Sequence, residues 1–263
     1  MIKPVMTALL IICLTLTVAY AEDRRPLIGI TPSFSNNSIQ LNNDYVDAVQ
    51  RNGGIAIILA PTEDENTIDA YIRMLDGAVF SGGPDIPPDF YGQQPHPTSQ
   101  VMEKARFEFE SRFIKRFLDA GKPALGICLG MQFSNVCRGG TLIQDIPELV
   151  SKKVTHRDGT MYTNLHPIAV APGSLLEQVL QTRSTRVISR HHQAAGKIGS
   201  GLTPVARSSD GIVEALERTD GVFGLFVQWH PESMKDADPV HTARIFTALI
   251  KAARAQKSPD TEW

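Results

Sequence analysis

The sequence contains little cysteine and no excess of charge of either sign. Three cysteines occur among 263 residues, and 26 lysines and arginines nearly balance 28 aspartates and glutamates, for a formal net charge of -2. Because the chain is not strongly basic, its charge does not indicate nucleic-acid binding. Repeats and biased segments are also absent, and a hydrophobic content of 42% over this length fits one large α/β domain. The composition favours a globular protein that acts on small molecules.

A phosphate loop of the Gly-x-x-x-x-Gly-Lys type is missing as well. Such a loop cradles phosphates with its backbone N–H groups, so its absence gives no support to ATP-dependent chemistry in this chain. We therefore expect no cofactor and no metal ligand.

Long hydrophobic runs are scarce, and the exception stands at the N-terminus. Lys3 precedes an apolar run over residues 8–18, and Ala19-Tyr20-Ala21 then has the small-x-small form of a signal-peptidase site. The run is shorter than the ~20 residues that a membrane-spanning helix needs. We expect residues 1–21 to be a signal peptide and Glu22 to begin a periplasmic or secreted protein with no stable membrane anchor after cleavage. An uncleaved anchor is the alternative.

Cleavage would remove Cys13 and leave two cysteines, Cys128 and Cys137. If residues 129–137 are helical, the two Cα atoms are about 13 Å apart at ~1.5 Å of rise per residue. A disulfide tolerates less than ~7 Å. We therefore expect both thiols to be free and Cys137 to be a packing residue.

Apolar runs alternate with amphipathic segments after Arg25, which predicts a parallel sheet covered by helices on both faces. The predicted strands of this half are 27–31, 55–59, 77–80 and 123–127, and the predicted helices are 44–51, 64–74, 104–120 and, at the C-terminus, 240–253. The second half predicts irregular strands at 152–170 and 186–190 and short β runs at 203–207, 212–217 and 223–229, a meander joined to the same sheet. Residues 22–255 are expected to form one catalytic domain, followed by a flexible tail at 256–263.

The most informative motif is Gly126-Ile127-Cys128-Leu129-Gly130, where an apolar run gives way to a helical pattern. Glycines two residues on either side of a cysteine leave room for a sharp strand-to-helix turn, the nucleophile elbow. A thiol at a helix N-terminus gains from the unpaired N–H groups, which favour the thiolate. The alternative is a buried structural cysteine.

A candidate base follows the last predicted strand. His230 stands two residues before Glu232, with Pro231 between them. In an extended chain, residues two apart point to the same side, so Glu232 can orient the imidazole while its other nitrogen faces the thiol. The carboxyl ends of parallel strands meet at one edge, which would bring His230 to Cys128. A solvated or core-satisfied histidine is the alternative.

Taken together, these motifs resemble a class I glutamine amidotransferase domain and, more narrowly, the γ-glutamyl-γ-aminobutyrate hydrolase family. Seven blocks occur in the family's order across nearly the whole mature chain. They are Ser81-Gly82-Gly83-Pro84-Asp85-Ile86; Pro88 with Tyr91-Gly92; Gly126-Ile127-Cys128-Leu129-Gly130-Met131-Gln132; Gly139-Gly140-Thr141-Leu142 with Gln144-Asp145; His191-His192-Gln193; Asp210-Gly211 with Glu214; and Gln228-Trp229-His230-Pro231-Glu232.

The resemblance implies a flavodoxin-like three-layer α/β/α sandwich with a mostly parallel sheet and an added β-meander. It implies an exported cysteine hydrolase that cleaves γ-glutamyl amide bonds through a γ-glutamyl thioester. Cys128 would be the nucleophile, His230 the general acid and base, and Glu232 the orienting carboxylate. The oxyanion hole would be the backbone N–H groups of Gly83 and Leu129. Gln132 and the loop 189–193, with His191, His192 and Gln193, would line the pocket for the glutamyl head. A solvated turn is the alternative for the histidine pair.

Three positions depart from the narrower family. Leu129 stands where that family usually has arginine, the stretch at 106–110 reads Arg-Phe-Glu-Phe-Glu, and Ile188 replaces an asparagine. These changes affect the specificity pocket, so the sequence leaves open which amine departs and whether water or an amine accepts the glutamyl group. Glutaminase action for a synthetase partner, or a catalytically silent binding module, are the other functions considered. Whether the chain forms a homodimer is also left open.

Overall fold

The computed structural model describes residues 25–35, 37–150, 153–158 and 164–256. The predicted signal peptide, and the predicted tail beyond Gln256, lie outside the described residues. In the described part of the chain, no helix has the length and apolar character needed to cross a membrane.

Thirteen strands are described. They are β1 (Leu27–Ile30), β2 (Ser33–Ser35), β3 (Ser38–Gln40), β4 (Ile55–Ile58), β5 (Gly77–Phe80), β6 (Ala124–Ile127), β7 (Leu142–Ile143), β8 (Leu165–Val170), β9 (Ser184–Ile188), β10 (Ala194–Ala195), β11 (Leu202–Ser208), β12 (Val213–Arg218) and β13 (Gly224–Val227). The helices are α1 (Asn43–Arg51), α2 (Glu65–Met74), α3 (Lys104–Asp119), α4 (Leu129–Cys137), α5 (Ile146–Leu149), α6 (Leu175–Leu180) and α7 (Pro239–Ala255).

Nine strands form one sheet in the order β4-β1-β5-β6-β13-β12-β11-β8-β9. The first five pair in parallel, and the last four extend the sheet in antiparallel fashion. This confirms the flavodoxin-like fold with a β-meander joined to the same sheet. Because β6 and β13 are parallel neighbours, the chain leaves both at the same edge.

Alternation along the strands gives the described part of the chain two large cores. In β5, Val79 packs into one core with helices α1 and α7, while Ala78 and Phe80 pack into the other with α3. The second core holds a row of three phenylalanines of α3, Phe109, Phe113 and Phe117. Since successive strand residues point to opposite faces, helices cover the sheet on both sides and form three layers.

The structure corrects the predicted strand at 152–170. Its strand part begins only at Leu165, and the described residues 153–158 form irregular loop backbone. The loop is held by contacts distant in sequence, because the carbonyl of His156 accepts hydrogen bonds from the backbone N–H of His191 and the hydroxyl of Ser189. A pattern of neighbouring residues does not carry that information.

Candidate active site

Cys128 occupies a strained turn between β6 and α4. Its φ of 53° and ψ of -103° are rare for a residue with a side chain. Two glycines make the turn possible. A Cβ on Gly130 would lie 2.1 Å from the carbonyl oxygen of Phe80, and one on Gly126 would lie 2.8 Å from the backbone of Gly130. The turn therefore has the geometry of the predicted elbow.

The structure brings the imidazole of His230 to the thiol of Cys128. A Cβ on Gly82 would lie 2.9 Å from Cε1 of His230 and 3.7 Å from Cβ of Cys128, so the two side chains meet beside one glycine although the residues lie about a hundred positions apart in sequence. The second ring nitrogen, Nδ1, lies 2.7 Å from Oε1 of Glu232. Cys128, His230 and Glu232 thus lie together at the carboxyl edge of β6 and β13, with the imidazole beside Cys128 and hydrogen-bonded to Glu232.

The backbone between His230 and Glu232 differs from the extended segment that the sequence analysis assumed. Strand β13 ends at Val227, and Pro231–Met234 forms a 3-10 turn. Proline is suited to the first position of such a turn because it needs no N–H partner there. The turn, rather than strand alternation, brings the Glu232 carboxylate to the ring.

The surroundings of this chain of groups favour a protonated imidazole. Burial lowers the pKa of His230, but the charge of Glu232 and the hydrogen bonds to Cys128 and Glu232 outweigh it and raise the pKa to about 9. Glu232 is itself buried. Tyr45 lies beside it with its hydroxyl accepting the N–H of Gly82 at 3.0 Å. Burial, reinforced by the Glu232 charge, raises the pKa of Tyr45 well above its usual value.

The loop after β5 brings Gly83 against Leu129, the two residues predicted to form an oxyanion hole. A Cβ on Gly83 would lie 2.9 Å from Cδ2 of Leu129 and 2.2 Å from Nη1 of Arg106, so any larger residue there would displace these side chains. Arg106 is fully buried and pairs with Glu110 at 3.0 Å. Its Nη2 donates to the carbonyl of Gly82 at 3.0 Å. That carbonyl belongs to the same planar peptide as the N–H of Gly83.

A cavity of about 330 Å³ opens beside the thiol. Its wall includes five residues that were predicted to line the substrate pocket and three polar residues that were not. The predicted ones are Gln132, Arg190, His191, His192 and Gln193; the others are Asp85, Gln100 and Arg157. Asp85 stood in a recognised motif, whereas Arg157 stands in a polar segment with no periodic pattern that could have marked it.

The predicted binding residues differ in where their polar atoms point. The ring of His192 bridges Asp85 at 3.1 Å and Asp145 at 3.4 Å, and the hydrogen bond to Asp85 raises the pKa of His192. Gln132 donates to the carbonyl of Gln193 at 3.3 Å, which fixes the amide in the wall. His191 lines the cavity too, but its ring is buried and its pKa is lowered well below the usual value by that burial.

Both remaining thiols of the described chain are free. Burial raises the pKa of Cys137 to about 12, so this thiol stays protonated at neutral pH. Its sulfur lies 3.9 Å from the carbonyl oxygen of Ser111, away from the cavity. Cys137 is therefore a packing residue, and Cys128 is the thiol at the cavity.

Comparison with known proteins gives a consistent set of matches. A family model described as Peptidase C26 matches residues 26–232. The "Putative glutamine amidotransferase Rv2859c" of Mycobacterium tuberculosis is 35% identical over 239 residues, which cover 87% of this chain and 75% of that protein. Protein NtpR of Enterococcus hirae is 36% identical over 211 residues, 78% of this chain and 87% of that protein.

A third relative has a more specific name. The γ-glutamyl-γ-aminobutyrate hydrolase PuuD of Escherichia coli is 31% identical over 204 residues, 73% of this chain and 78% of that protein. Among solved structures, a "putative gmp synthase subunit a protein" from Thermoplasma acidophilum superposes with a TM-score of 0.60 at 18% identity. The superposition covers 88% of this chain and 96% of that one and bears on the fold alone.

Proposed function

The chain belongs to the Peptidase C26 family of class I glutamine amidotransferase-like proteins, and from this premise we propose that it hydrolyses γ-glutamyl amide bonds. The observation that carries the proposal is that the imidazole of His230 lies beside Cys128 and is hydrogen-bonded to Glu232, with Cys128 in the wall of a cavity large enough for a small substrate. A nucleophile, a base and an orienting carboxylate in this order form the arrangement of triad hydrolases.

In the acylation step, the thiolate of Cys128 attacks the γ-carbonyl carbon of the substrate. Because the pKa of His230 is raised to about 9, its ring carries a proton at neutral pH, and an imidazolium next to a thiol favours the thiolate. The imidazolium then gives this proton to the departing amine as the C–N bond breaks. Glu232 holds the ring in the orientation for both contacts.

In the second step, water hydrolyses the γ-glutamyl thioester. Neutral His230 takes a proton from the attacking water, the C–S bond breaks, and glutamate leaves with the thiolate restored. The N–H groups of Gly83 and Leu129 would stabilise the oxyanion in both steps. The closeness of Gly83 to Leu129 supports a shared oxyanion hole. The hydrogen bond from Arg106 to the Gly82 carbonyl orients the peptide that carries the N–H of Gly83.

Recognition of a glutamyl head requires partners for one ammonium and one carboxylate. Residues of both charge signs line the cavity, namely the acidic Asp85 and the basic Arg157 and Arg190. We propose that these charged groups bind the two ends of the amino acid, while Gln132, His191, His192 and Gln193 shape the wall between them. Guanidinium is well suited to a carboxylate because its planar fork donates two parallel hydrogen bonds.

Glutaminase action for a synthetase partner is the second candidate, because one relative is named a glutamine amidotransferase. The two functions share the attack by Cys128 and differ in what departs and where it goes. A synthetase reaction needs ATP, and the sequence contains no Gly-x-x-x-x-Gly-Lys phosphate loop. A glutaminase would therefore pass its ammonia to a partner protein. PuuD, a relative named a hydrolase, supports direct hydrolysis.

The test is glutamate release from a panel of γ-glutamyl amides, including γ-glutamyl-γ-aminobutyrate, γ-glutamyl peptides and glutamine. Cys128→Ala should lose at least about 10⁴-fold in kcat/KM, whereas Cys137→Ala, the matched control, should retain the wild-type rate. Wild-type protein mixed with a good substrate and quenched should carry a glutamyl adduct on the peptide that contains Cys128. Equal rates in wild type and Cys128→Ala, or no release from any compound of the panel, would contradict the hydrolase assignment. Preference for glutamine over every other compound would favour the glutaminase.

We also propose that residues 22–255 act as one catalytic domain after export. The family match over residues 26–232 supports the extent of the domain. Export rests on the composition of residues 1–21 alone, which lie outside the described residues.

A further inference from the structure

Four buried side chains that the proposed mechanism does not use as acid, base or nucleophile converge at one point below the cavity wall. They are His156 of the loop 153–158, His166 of β8, His191 of the loop after β9, and Glu214 of β12. One nitrogen from each histidine and the Glu214 carboxylate lie within 4.8 Å of one another. We call these four residues the histidine–glutamate cluster.

Each of the three rings has an outward nitrogen, which points away from the cluster, and an inward nitrogen, which points into it. The partner of the outward nitrogen determines whether the inward nitrogen carries a proton or a lone pair. Each outward nitrogen lies at hydrogen-bond distance from an oxygen that accepts: Nε2 of His156 at 3.0 Å from Asp210, Nδ1 of His166 at 3.2 Å from the Pro167 carbonyl, and Nδ1 of His191 at 2.9 Å from the Gln193 carbonyl. An oxygen without a hydrogen requires the ring nitrogen to carry the proton. In a neutral ring, the other nitrogen then presents a lone pair to the cluster.

All the inward atoms are therefore acceptors that face one another. Nδ1 of His156, Nε2 of His166 and Nε2 of His191 lie 3.3, 3.4 and 3.7 Å from the Glu214 carboxylate oxygens. Within the described residues, none of these nitrogens and neither oxygen has a hydrogen bond of good geometry. Buried acceptors without donors are costly, so a cation must occupy the space between them or protons must convert rings into donors.

We propose that the histidine–glutamate cluster binds a zinc ion, with three imidazole nitrogens and one carboxylate oxygen as ligands. Zinc bonds of about 2.0–2.1 Å in a tetrahedron separate the ligand atoms by about 3.3 Å. The shortest nitrogen–oxygen separations of the cluster, 3.3 and 3.4 Å, match that edge. The outward N–H groups of the three rings donate hydrogen bonds to carboxylate and carbonyl oxygens, as the second nitrogen of a metal-binding histidine usually does.

The site would hold the cavity wall in place rather than take part in bond cleavage. Four protein ligands close the coordination sphere, which is typical of structural zinc. The ion would join the loop 153–158, which carries Arg157, and the loop that carries His192 and Gln193 to the start of β12. Neither loop has regular secondary structure of its own, apart from the two residues of β10, to fix these side chains.

The first experiment measures metal in a Cys128→Ser variant, because the thiol and His230 could themselves bind zinc. The untagged protein should retain about one zinc per chain by elemental analysis after purification without chelator. After chelation, Co²⁺ should give the intense visible absorption of four-coordinate cobalt with no sulfur-to-metal band, and added Zn²⁺ should raise Tm. Absence of bound metal with no response to Co²⁺ or Zn²⁺ would overturn the proposal and leave a protonated cluster. Metal bound by wild type but lost in Cys128→Ser would overturn it as well.

The second experiment removes single ligands and compares them with a neighbour. His166→Asn keeps an amide that can donate to the Pro167 carbonyl but lacks the inward nitrogen, and Glu214→Gln keeps the side-chain shape. Both should weaken zinc binding at least about 100-fold. His192→Asn, the same change beside His191 in a ring that faces Asp85 and Asp145, should bind zinc as tightly as the parent. Equal losses in all three variants would contradict the ligand set.

Should either ligand variant fail to fold, the cobalt spectrum of Cys128→Ser still decides the proposal. This result does not depend on the hydrolase function, since the metal is measured in protein without the nucleophile.

Discussion

At the scale of single residues, the most consequential contact is the one between His230 and Glu232. The raised pKa of His230, about 9, depends mainly on the Glu232 charge working against burial. A raised pKa means that the imidazolium is present at neutral pH and is lost as pH rises through about 9. If acylation needs the imidazolium as acid, kcat/KM should fall with a slope of one above that pH.

Glu232→Gln tests this electrostatic link. The substitution removes the charge that raises the pKa of His230 while keeping a side chain that can bind the ring. Burial then dominates, so the alkaline limb of the kcat/KM profile should move down by about one to two pH units. The measurement is a pH–rate profile for both proteins with one γ-glutamyl substrate. An alkaline limb that stays in place would show that Glu232 does not set the protonation of His230.

Arg106 is predicted to act as a positioning residue for the oxyanion donor on Gly83. Arg106→Lys keeps a positive charge opposite Glu110 but cannot keep the hydrogen bonds that Arg106 makes to Ser33, Ser81 and the Gly82 carbonyl together. A loosened peptide should lower kcat about 10- to 100-fold, because oxyanion contacts strengthen in the transition state.

The effect of Arg106→Lys on KM distinguishes a positioning role from general structural damage. It should stay within about threefold of wild type, since the contact acts on the oxyanion rather than on the bound substrate. Arg112→Lys, in the same helix but paired with Glu63, Glu65 and Glu108 near the surface, is the matched control and should leave kcat unchanged. A rise in KM with normal kcat for Arg106→Lys would argue for a substrate-binding role instead.

At the scale of elements, the packing of α4 against β5 sets the elbow. Because a Cβ on Gly130 would lie 2.1 Å from the Phe80 carbonyl oxygen, Gly130→Ala must push the helix away from the strand. Rigid backbone on both sides should make this cost about 3 kcal/mol or more in the free energy of unfolding. Gly139→Ala, just beyond the same helix, meets nothing within 4 Å and should cost only about 1 kcal/mol for its φ of 83°. Urea denaturation of both variants measures the difference, and equal losses would exclude the steric explanation.

The elements predicted best are those that show a hydrophobic repeat within their own segment of sequence. Strand β5 has its predicted bounds, and α3 differs from its prediction by one residue, because buried strands and amphipathic helices repeat every two or 3.6 residues. The hairpin of β2 and β3 was missed, as were α5 and α6 and the pair of β7 with β10. These elements have two to six residues, too few for a periodic pattern.

In the candidate site, too, residues marked by their neighbours in sequence could be predicted, and residues brought together only by folding could not. Cys128 could be found because the glycines that permit its turn are neighbours in sequence. The positions of Asp85 and Arg157 in the cavity wall could not, since the two residues come from different loops. Glu214 was recognised as part of a motif, but its meeting with three histidines depends on the pairing of β12 through β11 to β8.

At the scale of the whole molecule, the sheet gathers chemistry from distant parts of the chain. Loops after β5, β6 and β13 supply Gly83, Cys128 and His230 at one edge, and the meander adds the wall with His191. This follows from parallel pairing, which brings the carboxyl ends of strands together. In the proposed function, the first half of the chain and the last strand would supply the reacting groups, and both the first half and the meander would contribute residues to the cavity wall.

Export is the prediction that concerns the chain as a whole. The run over residues 8–18 is long enough for the apolar core of a signal peptide but too short to span a membrane of about 30 Å. We expect protein recovered from the periplasm or medium to begin at Glu22 by intact-mass analysis. Replacing both Ala19 and Ala21 by leucine should block cleavage, because signal peptidase requires small residues there. The blocked chain should begin at Met1 and remain with the membrane fraction, whereas wild-type protein found in the cytosol with Met1 intact would contradict export.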